Sequence, residues 1–457
     1  MVTGKTGLYR TIWRWHFYAG LFVIPFVLTL ALSGSVYLFK PQVERWEERV
    51  FQGQPSAAPV LPHEQLDAAL RVHPRATFLD YRLPEATGDS AMIRLRLPDG
   101  DISQVFVSPE GEVLGELDPD RRIMAVTKRI HSQLLIGEVG NRLVELAACW
   151  AIVMILSGLY LWWPRGRKLA GVVWPRIGAG KRAFWRDLHA VTGFWVSSLA
   201  LVMLLSGLPW AGVWGSAFAE VRAEMGWISG PAQWQIDGEK PALQPAGHDD
   251  HQHSTPTPSP DAPFDVDVLD QMVVQARSEG LTFPAIVTAP GAPGRFDAPG
   301  QMLWTIRSDV QNPPLRTTIR YNLTGRSELS RERFEDSHVI DRVIAYGIAW
   351  HEGQLFGWIN QLIGVVTAAM LITLAVSGFV MWRRRKPAGQ LGAPPSPDTP
   401  AQMRGVAVIV LVLALLLPLL AISLVAVLAL ERLVFSRIAT ASRWLGLPGR
   451  KMSAFGE

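Results

Sequence analysis

Residues 184–209 read FWRDLHAVTGFWVSSLALVMLLSGLP, and the same layout occurs near the N-terminus, where residues 13–35 read WRWHFYAGLFVIPFVLTLALSGS. In each, a histidine (His16, His189) is followed four residues on by glycine (Gly20, Gly193) and seventeen residues on by Ser-Gly (Ser33-Gly34, Ser206-Gly207). A second pattern is also doubled. From His131, six residues lead to Gly137, twenty-six to Ser157-Gly158, and Trp162 stands four beyond that glycine. From His351 the same offsets reach Gly357, Ser377-Gly378 and Trp382. Four hydrophobic segments thus come in two kinds, each kind occurs twice, and each carries a histidine at a fixed place. An internal duplication that builds histidine pairs inside a membrane bundle explains this pattern.

The segments are long enough for that reading. A helix needs about 20 consecutive apolar residues to cross the hydrocarbon core. Five runs qualify among the 457 residues: about 15–39, 142–163, 189–215, 357–382 and 405–430. The first run also has the basic flank of a secretory signal, but its apolar stretch continues through Val36–Phe39, which favours a retained anchor. The net charge of +4 is small for the length, and the basic residues flank the apolar runs. That is a topological footprint rather than a nucleic-acid-binding one. Cys149, the single cysteine, lies inside an apolar run and reads as a packing residue.

Lysine and arginine in short loops face the cytoplasm. Loop 165–187 carries Arg165, Arg167, Lys168, Arg176, Lys181, Arg182 and Arg186, and loop 384–403 follows Arg383 and begins Arg384-Arg385-Lys386. Both loops and the N-terminus are therefore expected inside. The resulting plan has TM1 within residues 1–40, an outer module at 41–121, TM2 within 122–164 and TM3 within 188–216. A second outer module follows at 217–345, then TM4 within 346–383 and TM5 within 404–431. Five spans put the tail 432–457 outside, against its own basic residues Arg432, Arg437 and Arg443.

The two outer segments share a grammar. In the first, LPHEQLDAALRVHP has helical spacing and is followed by the strand-like AMIRLRLPDG and ISQVFVSPEGEV. In the second, Phe264–Gly280 is helical and PAIVTAP, QMLWTIRSD and LRTTIRYNLTGRS follow. Two small α+β modules are expected. Between TM3 and the second helix, residues 236–262 are rich in Pro, His, Asp, Ser and Thr and read as a flexible insertion. His248, His251 and His253 within it could bind a metal, although its composition favours a solvated linker.

The four repeated histidines carry the chemistry. At 100° per residue, Gly34 lies eighteen residues, or five full turns, from His16 on one helix face, and Gly207 relates to His189 identically. Missing side chains on a histidine face leave room for a flat ring or a close helix. Small-residue packing alone would explain the glycines but not the paired histidines. For His131 and His351 the face relation fails, because Gly158 and Gly378 fall about 180° away if the helices are unbroken. Glycines 137, 140, 353 and 357 are candidates to interrupt them. Two imidazoles from facing helices can fill both axial positions of a haem iron and leave no site for dioxygen, which suits electron transfer. Zinc wants about four ligands, more than either pair offers. His63, His73 and His338 have no counterpart in the other repeat and suggest surface roles.

These motifs resemble those of the PepSY-associated transmembrane-helix family, in RWHFYAGLFVIPFVLTLALSG, HSQLLIGEVGNRLVELAACWAIVMILSGLYLWWPR, DLHAVTGFWVSSLALVMLLSG and FGWINQLIGVVTAAMLITLAVSGFVMWRRR. The two outer units are similar to PepSY modules, and the resemblance covers residues 10–385. It includes iron-regulated membrane proteins and dihaem ferric-siderophore reductases of the ferrioxamine-reductase type. What it implies is an α-helical integral membrane protein with a duplicated four-helix haem-binding bundle, a fifth C-terminal TM helix and two PepSY-like periplasmic modules. Two haem b groups would be held by His16, His189, His131 and His351. The activity implied is ferric-siderophore reduction at the bacterial inner membrane, with electrons from a cytoplasmic reductase or membrane quinol. Trp350, Glu352, Arg129 and Gln133 flank the outer histidines and are candidate substrate contacts. The competing expectations are a peptidase-restraining regulator without redox activity and a metal-ion carrier.

Overall fold

The computed structural model describes residues 2–164, 170–178, 180–227, 267–292, 302–394 and 404–447. In chain order the elements are α1 Val2–Tyr37, α2 Lys40–Glu48, α3 Pro62–Val72, β1 Thr77–Arg82, β2 Ala91–Arg96, β3 Ile102–Val107 and β4 Val113–Leu117. Then come α4 Ile123–Gln133, α5 Gly137–Trp162, α6 Lys181–Gly207, α7 Gly212–Glu224 and α8 Asp267–Ser278. Next are β5 Ala285–Thr288, β6 Trp304–Ser308, β7 Thr317–Tyr321, β8 Glu328–Arg333, α9 Val339–His351 and α10 Trp358–Arg385. The last helices are α11 Arg404–Leu416, α12 Pro418–Leu430 and α13 Ala439–Leu445. The chain divides into two compact units, Met1–Val36 with Lys128–Phe218 and Leu362–Glu457, and Tyr37–Thr127 with Ala219–Gln361.

The first unit is built from apolar helices. Among the described residues five are long and apolar enough to span a bilayer: Gly7–Tyr37, Gly137–Trp162, Lys181–Trp210, Trp358–Arg385 and Pro418–Phe435. The chain is a multi-pass membrane protein. Leucine and valine stay exposed along these helices, up to 68% for Val425, because lipid tails solvate an apolar helix surface as well as another helix does. The anticipated interruption before the second span is present. Leu134 and Leu135 adopt φ of 51° and 61° between α4 and α5, a region that side chains other than glycine seldom occupy. Gly140 is then obligatory, since a Cβ there would lie 1.7 Å from the Gln133 carbonyl oxygen.

The apolar run expected as a single fifth span is broken. Leu417 leaves the helical region at φ −128° and ψ 86°, and Pro418 starts α12, where its missing N–H costs nothing. The thirteen residues of α11 extend about 20 Å, too short to cross alone. Both flanks of this hairpin return to one place. The Arg14 guanidinium donates to the carbonyls of Pro394 and Gly446, and the Tyr18 hydroxyl donates to Leu445 O at 2.6 Å. The C-terminal helix α13 therefore lies at the same end of α1 as the N-terminus, not at the opposite end as five simple crossings require. Arg432, Arg437 and Arg443 consequently join the other basic residues at that end, and the charge mismatch of the sequence reading disappears.

In the second unit the two helix-and-strand modules are not separate. Their strands form one antiparallel sheet of eight in the order β4-β3-β2-β1-β5-β6-β7-β8. The halves join through β1 and β5, with Asp80 opposite Thr288, Tyr81 opposite Val287 and Arg82 opposite Ile286. Period-two alternation sends Tyr81, Ile93, Leu95, Val287 and Ile306 to one face, against Leu66 of α3 and Leu269 and Met272 of α8. The other face is charged. Arg94 clamps the buried Asp80 carboxylate, and Arg82 pairs with Glu48 of α2 at 2.7 Å. Elsewhere in this unit Arg222 and Asp341, both nearly inaccessible, pair at 2.6 Å.

Candidate cofactor site

Within the membrane unit each repeated histidine is seated by a serine-glycine pair belonging to another helix. His16 on α1 places Nδ1 2.9 Å from Ser157 Oγ of α5. His189 on α6 places Nδ1 3.1 Å from Ser377 Oγ of α10. His131 on α4 places Nδ1 3.0 Å from Ser33 Oγ of α1. The adjoining glycine admits the ring each time. A Cβ on Gly158 would meet His16 Cε1 at 3.1 Å, one on Gly378 would meet His189 Cε1 at 3.3 Å, and one on Gly34 would meet His131 Cε1 at 3.1 Å.

This corrects the face argument drawn from the sequence. Gly34 shares a helix face with His16, but the ring it accommodates is His131. Gly158 serves His16, which is why its angular offset from His131 on the same stretch of chain carries no penalty. The glycines one turn after the histidines also have matched roles, since Gly20 faces Met154 and Gly193 faces Leu374, each three residues before a seating serine.

The duplication extends to the supports at the helix ends. Trp162 Nε1 donates to Val172 O at 2.9 Å, and its repeat counterpart Trp382 donates to Leu391 O at 2.8 Å. Two residues before each of His16 and His189 a charged side chain ties down a loop. Arg14 holds Pro394 and Gly446, whereas Asp187 accepts from Arg176 Nε at 2.7 Å and from Arg186 at 2.8 Å. The sequence reading gave Asp187 no structural role. It also missed Glu145, a carboxylate inside α5 that accepts from the Val213 and Trp214 amides and so caps α7. The serines were visible as fixed spacings but had no assigned role.

Hydrogen-bond chemistry identifies the ring nitrogen left for a ligand. His189 Nδ1 lies 3.2 Å from the Leu374 carbonyl oxygen, which can only accept, so Nδ1 carries the proton and Nε2 keeps its lone pair. His16 Nδ1 meets Ser157 Oγ, whose own hydrogen goes to the Met154 carbonyl at 3.1 Å. Two neutral imidazoles with bonded Nδ1 atoms and free Nε2 atoms fit a haem iron, whose other four ligands come with the macrocycle. At the same end of the unit Arg384 packs over Trp185 at 5.7 Å and Arg385 over Trp13 at 5.1 Å, placing positive charge one turn before each histidine.

The fourth histidine, His351, ends α9 in the sheet unit, where Glu352 takes the C-cap position. Of the candidate substrate contacts, Trp350 packs edge-on against Phe356 and its carbonyl accepts from Asn360 at 3.1 Å, while the charge of Glu352 is felt at Lys40. Arg129 and Gln133 belong to α4, and their carbonyls accept from Leu135 and Ile136 in the turn that ends it. The histidines without repeat counterparts are structural. His63 Nδ1 pairs with Asp270 at 2.6 Å, His73 Nε2 with Glu116 at 2.8 Å, and His338 caps α9 through Ile340 N. His248, His251, His253 and the 236–262 insertion lie outside the described residues. Among the described residues no group of three or more His, Cys, Asp or Glu could hold a bare metal ion.

Residues 13–385 match the family model described as the PepSY-associated TM region. No curated protein matches the chain.

Proposed function

The chain belongs to the PepSY-associated transmembrane family, and from that premise we propose that it is a dihaem b-type reductase of the bacterial inner membrane. Its substrate in this reading is a periplasmic ferric siderophore. The observation that carries the proposal is the pair His16 and His189, two imidazoles whose Nδ1 atoms each meet a serine hydroxyl on another helix beside a glycine that admits the ring. The second haem rests on the sequence repeat that gives His131 and His351 matching offsets, together with the seat of His131 on Ser33.

Haem supplies reversible one-electron iron chemistry when bound. This chain's residues do the rest. His16 and His189 present Nε2 lone pairs. The glycine seats hold both rings in place, the apolar helices keep water away, and Arg384 and Arg385 offer countercharge to the haem carboxylates. One electron from a cytoplasmic reductase or membrane quinol, delivered to the substrate, converts its Fe(III) to Fe(II) with no bond to the protein made or broken. Chelators built from hard oxygen donors hold Fe(II) far less well, so reduction releases the metal.

Pyridine haemochrome stoichiometry on the purified protein tests this directly. Two haems per chain and a Soret band that shifts on dithionite are expected, and His16→Ala should leave about one haem. Colourless, folded protein would overturn the reading in favour of a peptidase-restraining regulator or an ion carrier.

A further inference from the structure

The serines that seat the histidines do more than fill space. A serine hydroxyl carries a single hydrogen. Ser157 Oγ lies 3.1 Å from Met154 O, Ser377 Oγ lies 3.1 Å from Leu374 O and Ser33 Oγ lies 2.7 Å from Thr29 O, each carbonyl on the serine's own helix. Spending the hydrogen there leaves an oxygen lone pair pointing at the histidine. The ring must then donate from Nδ1, the direction that the Leu374 carbonyl independently demands of His189. The opposite polarity would forfeit the serine-to-carbonyl bond and, at His189, set the Nδ1 lone pair against an acceptor-only oxygen. Three separate sites in one membrane unit repeat this short relay from imidazole N–H to hydroxyl to carbonyl.

We propose that Ser157, Ser377 and Ser33 are positioning residues that fix the Nδ1–H tautomer of His16, His189 and His131 and thereby set the donor strength of Nε2 toward iron. The proposal rests on the haem reading above. An imidazole that gives its Nδ1 proton to a polarised acceptor is a more electron-rich ligand and favours the ferric state, and losing such an outer partner typically weakens a metal site by about 10–100-fold. On the haem reading above, Ser157 and Ser377 act on the haem held by His16 and His189, and Ser33 acts on the one that takes His131.

The test uses the full-length, haem-loaded protein in detergent. Redox titration should resolve two waves. Ser157→Ala and Ser377→Ala should each move the same wave to higher potential, Ser33→Ala should move the other, and each Thr replacement should restore the native value. Haem transfer to apomyoglobin from the affected site should speed about ten-fold on serine removal. Unchanged potentials and transfer rates in folded, fully haem-loaded alanine variants would overturn the proposal while leaving the haem reading intact. Should an alanine variant fail to fold, 15N spectra of histidine-labelled wild-type apoprotein decide instead. Nε2-protonated signals for His16 and His189 would refute the tautomer assignment. Wild-type protein that binds no haem would sink the functional reading itself.

Discussion

A methyl group added at Gly158 would stand 3.1 Å from Cε1 of His16, tighter than ordinary packing allows, so one ring or one helix has to give way. Gly158→Ala is therefore expected to lower the thermal midpoint in detergent, consistent with an overpacking cost of about 1–3 kcal/mol. On the proposed haem reading it should also deplete haem at the His16 site while sparing the other, read as a fall toward one haem per chain. Retention of both haems with unchanged melting would refute the seat. The spacing of histidine, glycine and serine was plain in the sequence, and so was its doubling. Which ring each glycine serves was not, because 3.6-residue periodicity orders residues around one helix and carries no information about the neighbour it meets. The roles of Asp187 and Glu145 escaped notice for a related reason. Glu145, an acid in an apolar run, shows that a partner must exist, but its donors Val213 and Trp214 come from another helix. Asp187 was one acid in a basic loop, and nothing local says which arginines clamp it.

At the level of elements, the hinge at Leu417-Pro418 decides the topology. Hydropathy across residues 405–430 is continuous, and a window that averages over it cannot register one residue outside the helical region. The proline was the visible sign, since it denies the preceding turn a hydrogen-bond donor. With the N-terminus inside, a fluorescent reporter fused at the C-terminus should fold and fluoresce in the cytoplasm, and alkaline phosphatase fused there should stay inactive. An active phosphatase fusion would contradict the hairpin. In the sheet unit, α3 and α8 are linked by His63 and Asp270, and that hydrogen bond raises the histidine above its ordinary value of 6.5. A pKa raised on folding stabilises the folded form fully below about pH 6.5 and loses that contribution as pH climbs through the raised value. His63→Gln should accordingly lower the melting temperature most near pH 6 and progressively less above neutrality. A deficit that does not vary with pH would rule out the charged pair.

Considered as a whole molecule, the duplication is written twice, once in the spans and once in the sheet. The helix-then-strands order of both outer segments was legible from alternation and turn residues. Their fusion into one sheet of eight was not, because pairing of β1 with β5 joins residues about two hundred positions apart and leaves no local pattern. Cutting that seam has a foreseeable result. Residues 37–127 produced alone would expose β1 as an unpaired edge beside the apolar core, and size-exclusion chromatography should find them dimeric or aggregated. A stable monomer would mean that the first half is self-sufficient.

The exchange of seats between helices also fixes a calendar for biogenesis. The ring at His16 waits for residues 157 and 158, and the ring at His189 waits for residues 377 and 378, which leave the ribosome only after most of the chain has been made. A nascent chain halted before the fourth span has its first imidazole lodged and the opposing one still adrift. For the haem proposed above, which would need both rings, loading would then wait until the fourth span had been made.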